Sequence, residues 1–197
     1  MTEDLDRVLS DLLAAGELDR AATAALEALG PQILGYLAAT LRDDDAAYDV
    51  FGQFSEEMWK SIRSFRGDSS FKTWAYKIVM HSISRYRRDG YRRRGQPLDS
   101  AAISAIAEDV RSRTPRFQQT EVKDRITELR ESLDADEQTL LFLRIDQGLS
   151  WGDVAQVMSA RGEDVEVAAL RKRFERAKTK LRVLAEANGI LGDRSRS

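Results

Sequence analysis

Apolar residues recur at three- and four-residue spacing along most of the chain, the period of helices that bury one face, while the two-residue alternation of half-buried strands is nearly absent. Leu5, Val8, Leu9 and Leu12 make a first short amphipathic stretch, and a second runs from about Asp19 to Leu29. Gly30-Pro31 predicts a break, because proline suits the first position of a helix and not its interior. The next helix is expected to bury Ile33, Leu34, Leu37 and Leu41. A longer one follows from about Ala46 to Ser64, with Val50, Phe51, Phe54, Met58, Ile62 and Phe65 on one stripe. Gly67 supplies a left-handed residue to end it, and Asp68, Ser69 or Ser70 can cap a helix beginning at Phe71. These segments predict one helical domain over 19–95, preceded by an extension, 1–18.

From about Gly95 the periodicity weakens, and two of the three prolines appear before Phe117, which marks 96–116 as a linker. Leu98, Ile103, Ile106 and Val110 could form a short docked helix within it. The second domain is expected over 117–187, with a tail at 188–197, and opens on Val122, Ile126, Leu129 and Leu133. Asp134-Ala135-Asp136-Glu137 has the pattern of a capping box before a helix with Leu140, Leu141, Leu143 and Ile145, which Gly148 can close. Ser150-Trp151-Gly152-Asp153 repeats that pattern before a short helix burying Val154, Val157 and Met158. After a turn around Gly162, a last helix gathers Leu170, Phe174, Ala177, Leu181 and Leu184 on one face. The expected fold is all-α: two helical domains joined by a linker, the second a helix-turn-helix.

Hydrophobic residues form 42% of the 197 residues and charged residues 32%, enough apolar material for real cores beneath a charged surface. There is no cysteine and one histidine, which excludes disulfides, thiolate zinc sites and multi-histidine centres. No nucleophile, metal set or phosphate loop can be assembled, so no catalytic residue, cofactor or metal is expected. The acidic start precedes no long apolar run; no signal peptide or membrane span is expected, and a cytoplasmic setting is.

A net charge of −2 and a pI near 5.6 argue, as averages, against a nucleic-acid binder. The distribution argues otherwise. Basic residues gather at Arg85 to Arg94 and Arg171 to Arg182, acidic ones near the start, around Asp43 to Asp49 and in Glu128 to Glu137; such segregation suits separate surfaces for separate partners. On the last helix Arg171, Lys172, Glu175, Arg176 and Thr179 fall opposite the apolar face, where a recognition helix meets base edges and phosphates. Within Phe65 to Ile78 and the residues after it, Phe71, Ala75, Ile78, Val79, Ser82 and Tyr86 share an inward face. Lys77, His81, Ser84 and Arg88 share the outward one, with Trp74 and Arg85 at its border. Basic groups beside aromatics and a polar loop suit DNA whose bases have left the stack; core packing for the aromatics and a solvated face for the charges is the plainer alternative.

Phe65 to Ile78 resembles the most characteristic stretch of the extracytoplasmic-function sigma factors. Ala25-Leu26, Gly30-Pro31, Leu34 and Tyr36-Leu37 resemble that family's first conserved region. Gly148-Leu149-Ser150-Trp151, Val154-Ala155 and Leu170 to Ala177 resemble its promoter-reading region, so that the likeness spans about 19–187. The resemblance implies that the first domain binds the clamp helices of the polymerase's largest subunit through Asp49, Gln53 and Glu56. It implies minus-ten recognition by Gly67, Asp68, Ser69, Ser70, Trp74, Lys77, His81, Ser84, Arg85 and Arg88, and minus-thirty-five recognition by Arg171, Lys172, Arg173, Glu175 and Arg176. The implied partners are core RNA polymerase and promoter DNA, with an anti-sigma factor or a Ser/Thr kinase as candidate regulators and no membrane. Three departures stand out. The acidic motif reads Ala46-Ala47-Tyr48-Asp49, keeping only its last carboxylate, although Asp43, Asp44 and Asp45 lie just upstream and Ser55 or Ser61 could accept a phosphate. His81 and Arg85 stand where the family often has Asn and Asp, and the turn Ser159 to Asp164 is long. Rival readings are a helix-turn-helix regulator that leaves Phe65 to Ile78 unexplained, or a sigma-like interaction protein without initiation activity.

Overall fold

A computed structural model describes residues 2–88, 105, 108–110, 129, 132–160, 162 and 164–188. Leu98, Ile103, Ile106, Val122, Ile126 and the basic run Arg92 to Arg94 lie outside the described residues. Two compact units are formed, Met1–Pro115 with Gln156–Glu163, and Arg116–Ala155 with Asp164–Ser197. Every regular element among the described residues is helical.

The first unit contains α1 (Thr2–Ala14), α2 (Leu18–Leu41), α3 (Asp44–Ser61), a 3-10 turn (Ile62–Ser64) and α4 (Phe71–Arg88). The expected break at Gly30-Pro31 does not occur, and α2 runs through both residues. Its buried stripe explains why: Ala22, Ala25, Leu26, Leu29, Ile33, Leu34 and Leu37 continue across the proline. Pro31 and Glu27, whose carbonyl loses its partner, both sit on the exposed side, where water can satisfy the freed group. Helix α3 begins where Asp43 accepts from the Ala46 amide at 3.0 Å, two residues ahead of the expected start, and its acidic first turn suits the helix N-terminus. Val50, Phe51, Phe54, Met58 and Ile62 are buried as the stripe predicts, each 2% exposed or less. Helix α4 is more deeply embedded than one face would allow: Thr73, Tyr76, Met80 and Ile83 are buried alongside Phe71, Ala75, Ile78, Val79 and Ser82, whereas Tyr86 is only half-buried. Val110 is buried too, with its Cγ1 only 2.9 Å from where a Cβ on Gly30 would lie; at Gly30 the missing side chain is what admits it.

The second unit contains α5 (Ala135–Leu141), a π turn (Phe142–Asp146), the start of α6 (Trp151–Ser159) and α7 (Val167–Ala187). The capping box is complete: the Asp134 carboxylate accepts from the Asp136 and Glu137 amides, and Glu137 accepts from the Asp134 amide at 3.1 Å. Leu140, Leu141 and Leu143 are buried, but Ile145 is 52% exposed. A π turn winds wider than an α-helix, and this one carries Ile145 out of line with Leu141. Gly148 takes a positive φ of 65° and ends the segment. Ser150 caps α6 by accepting from the Asp153 amide at 3.1 Å. In α7 Leu170, Phe174 and Ala177 are buried, while Leu181 and Leu184 are only half-buried.

Candidate nucleic-acid interface

The loop Phe65 to Ser70 is held at both ends. Gly67 adopts a φ of 76°, a left-handed conformation that costs glycine little. Beneath the loop, Phe65, Phe71 and Trp74 form a ring cluster with centroids 5.0 to 5.6 Å apart, a spacing at which tilted and edge-on rings attract. Ser70 caps α4, its Oγ accepting from the Thr73 amide at 3.1 Å and lying 2.8 Å from Thr73 Oγ1. Asp68 is exposed and pairs loosely with Arg66 at 3.7 Å. Ser69 and Ser70 are half-exposed. Trp74 therefore serves the core and the rim of the loop together.

Along α4, His81 and Arg88 are exposed and Lys77 and Ser84 half-exposed, so the predicted outward face exists. Arg85 is turned toward α3, its Nη1 3.0 Å from Glu57 Oε2, a partner that sequence spacing could not reveal. Asp49, Gln53 and Glu56 on α3 are half-exposed, and Glu56 pairs with Lys60 one turn on. Ser55 is corrected as a phosphate acceptor. It is fully buried and its hydroxyl donates to the Phe51 carbonyl at 2.8 Å, so a phosphate there would have to enter the core. Ser61 is half-buried and donates to the Glu57 carbonyl at 2.6 Å.

On α7, Arg171, Lys172, Glu175, Arg176 and Thr179 are exposed; Glu175 pairs with Lys178 at 2.9 Å. Arg173 faces the other way. Its guanidinium lies 3.0 Å from Asp134 and 3.2 Å from Asp136, bridging α7 to the capping box of α5. Burial alone would raise the Asp134 carboxyl, but hydrogen bonds from the Glu137 amide and the Arg173 guanidinium outweigh it and hold that carboxyl below the usual carboxylate range. Lys180 adds a contact to Glu137 at 3.4 Å. Trp151 stacks edge-on to Phe174 at 5.4 Å and lies beneath both Arg144 and Arg171, 5.2 and 5.7 Å from its centroid. Arg144 in turn donates to the Leu149 carbonyl at 2.7 Å. Trp151 thus joins Arg144 to Arg171 and Phe174 of α7, a meeting hidden in the sequence because the α7 residues lie well beyond the reach of local spacing.

Among the described residues no group of three or more His, Asp or Glu side chains is placed to hold a metal ion, and no helix is long and apolar enough to cross a membrane.

Residues 25–94 match the family model for sigma-70 region 2, which takes in α3, the loop and α4. The chain is 29% identical over 161 residues to the RNA polymerase sigma-H factor of Pseudomonas aeruginosa, covering 75% of this chain and 77% of that one. It is 27% identical over 136 residues to the ECF RNA polymerase sigma-E factor of Haemophilus influenzae, covering 66% and 69%. Among solved structures it is similar in fold to CnrH in complex with the cytosolic domain of CnrY, with a TM-score of 0.61 at 21% identity, covering 93% and 98%. A second likeness is to the sigma factor RpoE in complex with the anti-sigma factor NepR from Bartonella quintana, with a TM-score of 0.58 at 18% identity, covering 86% and 96%. The family match falls on the residues that build the capped loop and its helix, the relatives extend well beyond it, and the chain belongs to the sigma-70 family as an extracytoplasmic-function sigma factor.

Proposed function

We propose that this sigma factor joins core RNA polymerase through the outer side of α3 and opens promoter DNA with the loop and outward face of α4. The observation that carries this reading is the capped, aromatic-floored loop and the outward face of α4 that runs on from it through Lys77, His81, Ser84 and Arg88, inside the segment matched by sigma-70 region 2. Exposed basic groups neutralise phosphates and displace counterions, while the polar loop Gly67 to Ser70 offers donors and acceptors to an extruded base. Asp49, Gln53 and Glu56 form the polymerase contact. Arg171, Lys172 and Arg176 read the minus-thirty-five element from the major groove, with Glu175 beside them and Arg173 holding the helix. The functional limits are 19–95 for the polymerase-binding and melting part, 96–116 for the linker and 117–187 for the promoter-reading part.

The protein catalyses no reaction of its own; bond formation belongs to the polymerase it directs, in the cytoplasm. An anti-sigma factor of the kind seen with its structural neighbour is the regulator this fold suits. Run-off transcription with purified core polymerase on genomic fragments tests the reading. Transcripts that need both core and this protein are expected. Silence on every fragment, with core binding intact, would leave a sigma-like interaction protein instead.

A further inference from the structure

Resting on that reading of the loop, we infer that α1 is a positioning element for promoter opening, acting through Asp6. The Asp6 carboxylate accepts from the Phe71 amide at 2.9 Å, across 65 residues of sequence. A helix leaves its first four amides without internal partners. In α4 the Thr73 amide is taken by Ser70, and the Phe71 amide, which Ser70 does not reach, is taken by Asp6. The carboxylate also sits at the positive end of the α4 dipole. Helix α1 is fixed well enough to deliver it, since Leu9 is fully buried while Asp6 itself is half-buried. The contact falls at the junction of the loop and the ring cluster, because Phe71 belongs to that cluster and follows Ser70 directly. Asp6 therefore fixes the direction in which Gly67 to Ser70 leave α4, and with it the pocket offered to an extruded base. An N-terminal segment outside the sigma-70 region 2 match becomes part of the minus-ten apparatus.

The test compares Asp6→Ala and Asp6→Asn in holoenzyme reconstituted with core polymerase, reading strand opening by permanganate footprinting and base preference on a minus-ten library. Asn retains an acceptor oxygen. Losing a cap weakens local order enough to predict about a fivefold loss of opening for Asp6→Ala, with altered preference at the unpaired position, unchanged core affinity and recovery in Asp6→Asn. Opening equal to or greater than wild type in Asp6→Ala overturns the inference. So does a uniform loss across all library sequences, which general destabilisation would give. Ser69→Ala serves as the control for the underlying reading: if it shifts base preference and Asp6→Ala does not, only the role of α1 fails, and if Ser69→Ala and Asp68→Ala both leave preference unchanged, the loop assignment itself fails.

Discussion

The two units are held together by different means. In the first, Phe51, Phe54, Phe71 and Tyr76 are almost wholly buried, and helices α2, α3 and α4 share one apolar interior. The second unit's rings keep an edge at the surface, Trp151 half-exposed and Phe174 at the limit of burial. Its described helices are tied as much by charge: Arg173 to Asp134 and Asp136, Lys180 to Glu137, and two arginines over Trp151. Apolar burial is not screened by salt and is only weakly sensitive to pH, whereas exposed ion pairs are screened. If the first unit holds unstacked DNA, as proposed, a rigid support under its loop serves that role. The second unit, proposed to dock α7 into a groove, relies on caps and pairs, and its stability should follow solution conditions more closely.

The strongest way to break this comparison is to empty each core. Phe54→Ala removes a ring 1% exposed and should cost the first unit about 3–5 kcal/mol. Phe174→Ala should cost the second unit less, since part of its ring already meets solvent and neighbours can close over the gap. Urea unfolding followed by amide signals from each unit measures both; equal losses would dissolve the distinction.

The next effect separates the two uses of charge in the second unit. Lys172→Ala and Arg176→Ala remove exposed groups and should leave stability unchanged, while discrimination at the minus-thirty-five element falls by roughly 1–3 kcal/mol. If each touches a phosphate, the salt dependence of binding should flatten by roughly one counterion per substitution. Arg173→Ala should do the reverse, loosening the unit while altering base preference little. A stability loss in the first two variants and none in the third would mean that the assignments are exchanged.

How much of this was legible in the sequence differs between the units as well. Periodicity located the described helices, though it divided α2 at Pro31, and local chemistry located the caps at Asp134 and Ser150 and narrowed that of α4 to Asp68, Ser69 or Ser70, because a cap and its amide lie within three residues of each other. Contacts that cross the fold left no such mark. Asp6 on Phe71, Glu57 on Arg85 and Arg173 on the α5 capping box all join residues whose separation carries no pattern, so Arg173 and Arg85 read as free basic groups. Pro31 misled for a related reason: the rule against interior proline is local, and the continuous apolar stripe on either side overrides it. The outward face of α4 was readable as a face, but its half-buried Trp74 is shared with the ring cluster. Spacing alone could not divide that residue between core and rim.

Gly30 and Gly35 sharpen the account of the first unit on a smaller scale. Both lie inside α2, where alanine is favoured over glycine by roughly 0.5–1 kcal/mol. Nothing lies within 4 Å of a Cβ on Gly35, whereas one on Gly30 would meet Val110 at 2.9 Å and Phe51 at 3.4 Å. Gly35→Ala should therefore raise the stability of the unit by about that amount. Gly30→Ala should gain nothing and should speed amide exchange at residues 108–110 as Val110 is displaced. Equal stabilisation by both would show that Val110 yields freely.

The smallest effect tests the electrostatic side of the comparison. In the unfolded chain Asp134 titrates near its ordinary value of 3.8, and in the folded unit its carboxyl is held below it. Between those two values the unfolded state binds more protons, so the contribution is fully present above the unfolded value and is lost as pH falls through the folded one. Arg173 is pushed upward from an already high value and stays charged throughout, so only the carboxylate switches. The Asp134 side chain is 55% exposed, and screening limits the contribution to roughly 0.5 kcal/mol. Asp134→Asn isolates the charge, because asparagine caps a helix about as well as aspartate. The stability difference between wild type and Asp134→Asn should be present near neutral pH, shrink with added salt, and vanish once pH has fallen through the lowered titration range of the folded carboxyl, where the wild-type group is itself protonated. A difference that persists unchanged in acid and in high salt would place the stabilisation in hydrogen-bond geometry rather than charge, and the contrast drawn between the two units would lose its electrostatic half.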